Sequence, residues 1–265
     1  MSTLITDLAP PSKIANTSRI EPGKAAWSWW SHPDDHSAKI YNEFTDLSAS
    51  FGFKYTLFDA GWEKANNEGQ IIDYAISKGV TPLVWGYSSQ YYEAEKRMAR
   101  FRELARMGVK GVKIDFWCSD RQEVMAALQA VFEDAAKEHL LIGLHGTTVP
   151  RGWQRTWPNY LTAEAILGTE SYFYEPRFPE KAAEQNTVLP FTGNVAGPVD
   201  YTPFALTMRK YPRLNTAVHE LAMTMIYTSG IIHFADSKEV FDSLPAEVKT
   251  LFKEMPATGT TPNVL

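Results

Sequence analysis

Short apolar runs alternate with helical stretches along this chain of 265 residues, and that alternation limits the fold more than any other feature. The runs are AAWSWWS (25–31), KYTLFDAGW (54–62), TPLVWGYS (81–88), GVKIDFWC (111–118), LLIGLHGT (140–147), YLTAEAIL (160–167), VLPFTGNVAG (188–197) and IIHFAD (231–236). Between them, apolar residues recur at helical spacing over 37–50, 71–78, 92–107, 120–139, 215–227 and 238–253. Gly79 and Gly108 stop two of these helices, and Val124, Leu128, Val131 and Phe132 share one face of the longest. Residues 168–187 read as irregular. Eight strand–helix alternations over about 250 residues predict a (β/α)8 TIM barrel of class α/β. A doubly wound open sheet would be expected to carry a glycine-rich first turn, and the sequence has none. Residues 1–20 read as an N-terminal extension, 21–256 as the barrel and 257–265 as a tail.

Composition narrows the function. The net charge is −5 with no basic stripe, so no nucleic-acid partner is expected. A single cysteine, Cys118, excludes an intrachain disulfide and a cysteine metal site; it reads as a small apolar residue. The first 23 residues lack the basic start and apolar run of a secretory signal. No stretch approaches the ~18 apolar residues of a membrane helix, so a soluble chain is expected. Aromatic residues make up 13%, with eight tryptophans, several beside polar residues, as a flat-faced ligand such as a sugar would require.

Active sites of such barrels sit at the C-terminal ends of the strands. Here those ends are polar and aromatic: Trp29 and Trp30, Asp59 and Trp62, Trp85 and Tyr87, Lys113, Asp115 and Trp117, His145, Glu164 with Glu170 shortly after, Thr192 and Asn194, His233 and Asp236. In the fourth strand, alternation sends Lys113, Asp115 and Trp117 inward and Val112, Ile114 and Phe116 outward. Lys113 beside Asp115 would keep the carboxylate ionised, the state that attacks an anomeric carbon. A second carboxyl must protonate the leaving oxygen; the candidates are Asp59, Glu164 and Glu170. Glu170 lies in a loop that can reach over the site. Glu164 suits sugar hydroxyls, water or a cation, and Asp59 with Trp62 suits sugar hydroxyls against an aromatic face. HPDDH (32–36) reads as a loop with Asp35 capping a helix, and the six scattered histidines give no zinc pattern.

The segments EPGKAAWSWWS, FDAGW, GVKIDF, LHGTTVPRGWQRTWPNYLTAEAILGTE, LPFTGNVAGPVDYTP and HFADS resemble, in order, the catalytic barrel of glycoside hydrolase family 97. The resemblance runs from Glu21 to Pro256, and the stretch Leu144–Glu170 is its most specific part. It implies a retaining α-galactosidase or an inverting α-glucosidase, acting on oligosaccharides or other α-glycosides. In the retaining branch the nucleophile falls on Asp115 and the acid/base on Glu170. Inverting members lack that aspartate and carry a base glutamate after the fifth-strand histidine, where this chain has Gly146. The resemblance therefore implies the retaining branch; from residue type and strand-end position, the expected substrate contacts are Asp59, Trp62, Lys113, His145, Glu164 and Trp30. It also implies a calcium ion, with Glu164 as a ligand, and export from the cytoplasm. Family members carry an N-terminal β-sandwich and a smaller C-terminal β domain that these 265 residues do not match. The rival expectations are an inverting α-glucosidase, an isolated barrel that only binds carbohydrate, and a metal-dependent sugar isomerase.

Overall fold

The structure is a computed structural model that describes residues 2–65, 68–148 and 150–257. The tail expected at 257–265 lies, beyond residue 257, outside the described residues. The strands are β1 (Gly23–Trp27), β2 (Tyr55–Phe58), β3 (Thr81–Tyr87), β4 (Gly111–Asp115), β5 (Leu141–Leu144), β6 (Tyr160–Ala163) and β7 (Ile231–Phe234). They form one parallel sheet in the order β6-β5-β4-β3-β2-β1-β7, a nearly closed TIM barrel. Helices are α1 (Ser2–Leu8), α2 (Ala38–Phe51), α3 (Glu68–Ser77), α4 (Ala94–Met107), α5 (Gln122–Lys137), α6 (Trp153–Thr156), α7 (Ser171–Tyr174), α8 (Phe178–Val188), α9 (Ala217–Ile226), α10 (Lys238–Ser243) and α11 (Ala246–Glu254). None of them is long and apolar enough to cross a membrane.

Two apolar layers hold the barrel. Alternate strand residues such as Val84, Val112, Ile114 and Ile142 pack outward against α3–α5, while Ala25, Tyr55, Leu57, Leu83, Leu141, Leu161 and Ile231 fill the interior. Helix ends follow from local chemistry. Ser37 caps α2 by accepting from the Ile40 N–H, and left-handed Gly52 and Gly108 close α2 and α4. The expected Asp35 cap is one step removed, since its Oδ1 accepts from the Ser37 N–H.

The second half departs from the sequence reading. The run at 188–197 is not a strand: α8 continues to Val188 and a 3-10 turn follows at Leu189–Phe191. Residues 168–187 include α7 and most of α8. The gap between β6 and β7 is closed by the segment 199–204. The Asp200 N–H donates to Ala163 O at 2.8 Å and the Ala235 N–H to Pro203 O at 3.0 Å. Left-handed Thr202 (φ 52) and Phe204 (φ 75) break the extended repeat that a ladder needs. The last helical stretch is likewise two helices, α10 and α11.

Candidate active site

Strand β4 delivers the central pair as parity requires. Lys113 points into the barrel and is buried; its Nζ lies 2.8 Å from Asp59 Oδ2 and 3.5 Å from Glu170 Oε1, over the Trp27 ring. Burial alone would lower the lysine's pKa, but Asp59, Glu170 and Asp115 outweigh it and raise it well above normal. Asp59 Oδ2 also accepts from Trp27 Nε1 at 2.7 Å, and Oδ1 from the Ala60 N–H at 2.6 Å. Burial pushes its pKa up, yet Lys113 holds it below the usual carboxylate range. Asp59 thus anchors the ammonium, with both its oxygens already bonded.

Asp115 ends the strand at the mouth. Its Oδ1 accepts from the Phe116 N–H at 2.6 Å and its Oδ2 from Trp85 Nε1 at 3.3 Å. Parity fails directly after it. Phe116 is left-handed (φ 64), and so is Cys118 (φ 46). Trp117, expected inward, therefore swings into the helix-facing core, where its Nε1 donates to Ile114 O. Phe116, expected outward, lies on Tyr87 at the mouth. A left-handed bulky residue costs about 1–2 kcal/mol; here it aims the Phe116 N–H at the carboxylate.

Glu170 opens α7 and turns back over the site. Burial, with the nearby Glu164 and Asp59 charges, pushes its pKa up to about 7 against the opposing pull of Lys113 and His145. Glu164 follows β6; its Oε2 accepts from the Gly146 N–H at 3.0 Å and lies 3.4 Å from His145 Nδ1. His145 follows β5 and is buried. Its Nδ1 faces Glu170 Oε1 at 3.7 Å, and its Nε2 meets Asp200 Oδ2 at 2.7 Å. Burial and Lys113 lower its pKa, but Glu164 and Asp200 carry it up to about 9. Asp200 Oδ2 also bonds His233 Nδ1 at 2.7 Å. Burial opposes its charge, and the two histidines still hold it far below the usual range.

Gly146 makes this crowding feasible. Its φ is 49, and a Cβ there would lie 2.9 Å from Asp115 Oδ1 and 3.0 Å from the Phe116 nitrogen. A side chain at 146 would have to take a left-handed backbone and displace the Asp115 carboxylate.

The fold thus brings Lys113, Asp115, Asp59, His145, Glu164 and Glu170 together. It does not bring Trp62 or Trp30 into the opening. Trp62 is 1% exposed in the helix-facing core, its Nε1 on Trp85 O and Arg100 over its ring. Trp30 is fully buried against Tyr172, Phe173 and Arg209. Neither presents a face to a sugar. Sequence reading missed Trp27 and Asp200 as members of the cluster. Two inward histidines at strand ends, 145 and 233, were the available signal that a buried acid must pair with them.

His145, Glu164 and Glu170 offer ligand atoms within 4.8 Å of one another. Calcium takes six to eight oxygens. The cluster supplies two carboxylates and one imidazole, with an ammonium 3.5 Å from one carboxylate. By themselves these residues do not make a calcium site. A cavity of about 840 Å³ lies at the opposite end of the barrel, lined by Arg19, Lys54, Arg102, Arg106 and Lys110 among others, away from every residue of this cluster.

A parallel barrel with carboxylates, a lysine and a histidine gathered at its C-terminal mouth has the layout of a barrel enzyme's active site. Residues 25–166 match the family model Glycoside hydrolase 97, and the chain belongs to that family. It is 34% identical, in an alignment of 272 positions covering 97% of this chain, to a probable retaining alpha-galactosidase of Streptomyces bingchenggensis. It is 29% identical, over 93% of its length, to a retaining alpha-galactosidase of Bacteroides thetaiotaomicron. The chain spans 42% of the length of each. Among solved structures, a beta-arabinopyranosidase superimposes with a TM-score of 0.88 at 26% identity, covering 97% of this chain and 44% of that one.

Proposed function

We propose that this barrel carries the catalytic machinery of a retaining α-galactosidase. The observation that carries the reading is that two carboxyls in different surroundings share one mouth, both near enough to Lys113 to raise its pKa. Asp115 accepts two N–H donors, which suits a carboxylate nucleophile. Glu170 is raised to about 7 by burial and neighbouring acids, which suits a proton donor.

In the first step an Asp115 oxygen attacks the anomeric carbon as the glycosidic bond breaks, and the Glu170 proton passes to the leaving oxygen. In the second, the Glu170 carboxylate takes a proton from water. The hydroxide oxygen displaces Asp115 and frees the sugar with its original configuration. Lys113, anchored by Asp59, stabilises the charge gathered at the two carboxyls. His145, held by Asp200, faces the same Glu170 oxygen as Lys113 does.

Gly146 supports retention over inversion. The base glutamate of inverting relatives would fall where a Cβ meets Asp115, so this chain accommodates the nucleophile and not that base. No step is routed through calcium, because the cluster lacks the oxygens. Export and assembly with further domains belong to the longer relatives and are carried to this chain only as part of this proposal.

A second substrate has a specific observation behind it, the likeness to a beta-arabinopyranosidase. A β-L-arabinopyranoside has the ring configuration of an α-D-galactoside without the hydroxymethyl group. The test is hydrolysis of p-nitrophenyl α-galactoside, α-glucoside and β-L-arabinopyranoside, with EDTA or calcium, following the released anomer by NMR. Faster cleavage of the galactoside with the α-anomer appearing first is expected, changed less than about twofold by EDTA. First appearance of β-galactose from the galactoside would overturn the double displacement. Preference for the arabinopyranoside would favour the second substrate. A tenfold loss in EDTA restored by calcium would mean that Glu164 and Glu170 recruit an ion after all.

A further inference from the structure

The backbone after Asp115 places two aromatic rings in water at the mouth. Phe116 is 52% exposed and Tyr87 51% exposed. Their rings stack at 5.3 Å and 21°. Trp85 meets both edge-on, at 4.4 Å from Tyr87 and 6.2 Å from Phe116, and its Nε1 bonds Asp115. Tyr87 is the β3 residue in register with Asp115 on β4. The pair is therefore continuous with the nucleophile through one aromatic side chain.

Its construction needs an explanation beyond the turn. The Phe116 N–H serves Asp115, and Ser88 Oγ fixes the Phe116 carbonyl at 2.8 Å. Those bonds involve only the backbone of residue 116. Glycine or asparagine would adopt the same left-handed conformation with less strain. The phenyl ring is thus surplus to the turn, and the left-handed backbone carries it from the apolar helix-facing side to solvent. Exposed, contiguous aromatic surface beside a site marks a ligand groove.

The direction of substrate entry assigns the ligand. A sugar with its anomeric carbon at Asp115 has the buried Lys113–Asp59 pair beneath it, so its leaving group projects outward past Tyr87 and Phe116. A pyranose ring offers a flat face of C–H groups that stacks on aromatic rings. Resting on the proposed glycosidase reading, we propose that Tyr87 and Phe116 form the platform for the leaving-group sugar, and that the chain acts on α-galactosides whose aglycone is a second pyranose.

The experiment compares an α-galactosyl disaccharide with α-galactosyl fluoride, whose leaving group has no ring. The variants are Tyr87→Ala and Phe116→Asn, the second chosen because asparagine keeps the left-handed turn and the N–H to Asp115. Each is expected to lower kcat/KM on the disaccharide roughly tenfold more than on the fluoride, mainly through KM. An equal fall on both substrates would assign the rings to holding Asp115 and overturn the platform, as would no fall on either. Wild-type protein that cleaves neither substrate would instead overturn the galactosidase reading, and the platform with it. Wild-type cleavage with no difference between the variants' two substrates sinks the platform alone.

Discussion

The two halves of the barrel are built differently. From β1 to β6 (residues 23–163) each strand pairs with its neighbour in regular parallel register, apart from one shift between β5 and β6. Left-handed positions between these elements fall largely on glycines such as Gly52, Gly79 and Gly108. From 164 to 230 the repeat dissolves into α7, α8, a 3-10 turn, α9 and a segment whose left-handed residues are Thr202 and Phe204. The regular half places Asp59, Lys113, Asp115 and His145. The irregular half supplies Glu164, Glu170 and Asp200. A ladder can hold a side chain only at a strand position; a loop can turn one back over the mouth, as α7 does with Glu170. The difference teaches that nucleophile and acid rest on different kinds of support, and substitutions should separate them.

The largest effect is expected at Asp115. Asp115→Asn should lower turnover by about 10³-fold or more and cost stability only about 1 kcal/mol in the urea midpoint, because the amide keeps one acceptor oxygen for the two N–H donors and the strand is untouched. Turnover within tenfold of wild type would remove Asp115 from the chemistry. In the irregular half, Glu170→Gln should cost ~10²–10⁴-fold on a sugar leaving group, and far less on a fluoride, which departs without a proton. On the fluoride, azide should speed turnover of the variant by attacking the Asp115-bound sugar without base assistance. Equal losses on both leaving groups would mean that Glu170 is not the acid.

The same residue sets a pH limb. Glu170 donates only when protonated, and its pKa is raised to about 7. The acid form predominates below that pH, so kcat/KM on a disaccharide should fall as pH rises through 7, approaching tenfold per unit above it. The fluoride profile should be flatter over the same range. A disaccharide profile flat from pH 6 to 9 would count against the assignment.

Stability should break the comparison from the other side. Lys113 and Asp59 are both buried, and the pair belongs wholly to the regular half. Lys113→Met leaves an unpaired carboxylate in the interior, a loss of about 3–5 kcal/mol readable as a lower urea midpoint. Lys113→Met with Asp59→Asn should recover much of that loss, since no buried charge is then orphaned. A double variant as unstable as the single one would show that packing, not charge, holds this floor.

How much of this was legible follows the same division. Period-two alternation located Lys113 and Asp115, and the outward packing of Val112 and Ile114, because β4 is a strand through residue 115. It misplaced Phe116 and Trp117, because one left-handed residue reverses parity and nothing local in FWC announces it. It also misread 188–197 as a strand. The β-branched and aromatic residues there suit a strand, but Val188 ends a helix and Pro190 sits in its 3-10 continuation, where a missing N–H is tolerated. Asp200 escaped notice because its partners lie 55 and 33 positions away and its own segment has no period. Trp62 and Trp30 were assigned to the sugar by residue type alone; strand-end position gave their place, not which way their rings turn.

The smallest expected effect is the cleanest test of whether the halves are energetically separate. Gly52 ends α2 in the left-handed conformation (φ 66), with nothing within 4 Å of where a Cβ would stand. It joins α2 to β2 at the strand's N-terminal end, across the barrel from the mouth. Gly52→Ala therefore meets no steric conflict and loses only the backbone preference, about 1 kcal/mol. The urea midpoint should drop by that amount, and kcat and KM should be unchanged, because conservation of geometry at the mouth requires only that the ladder stay in register. A fall in kcat at Gly52→Ala comparable to that expected from changes at the mouth would mean that strain at the floor reaches Asp115 through β2 and β3, and that the regular half is less rigid than its ladder implies.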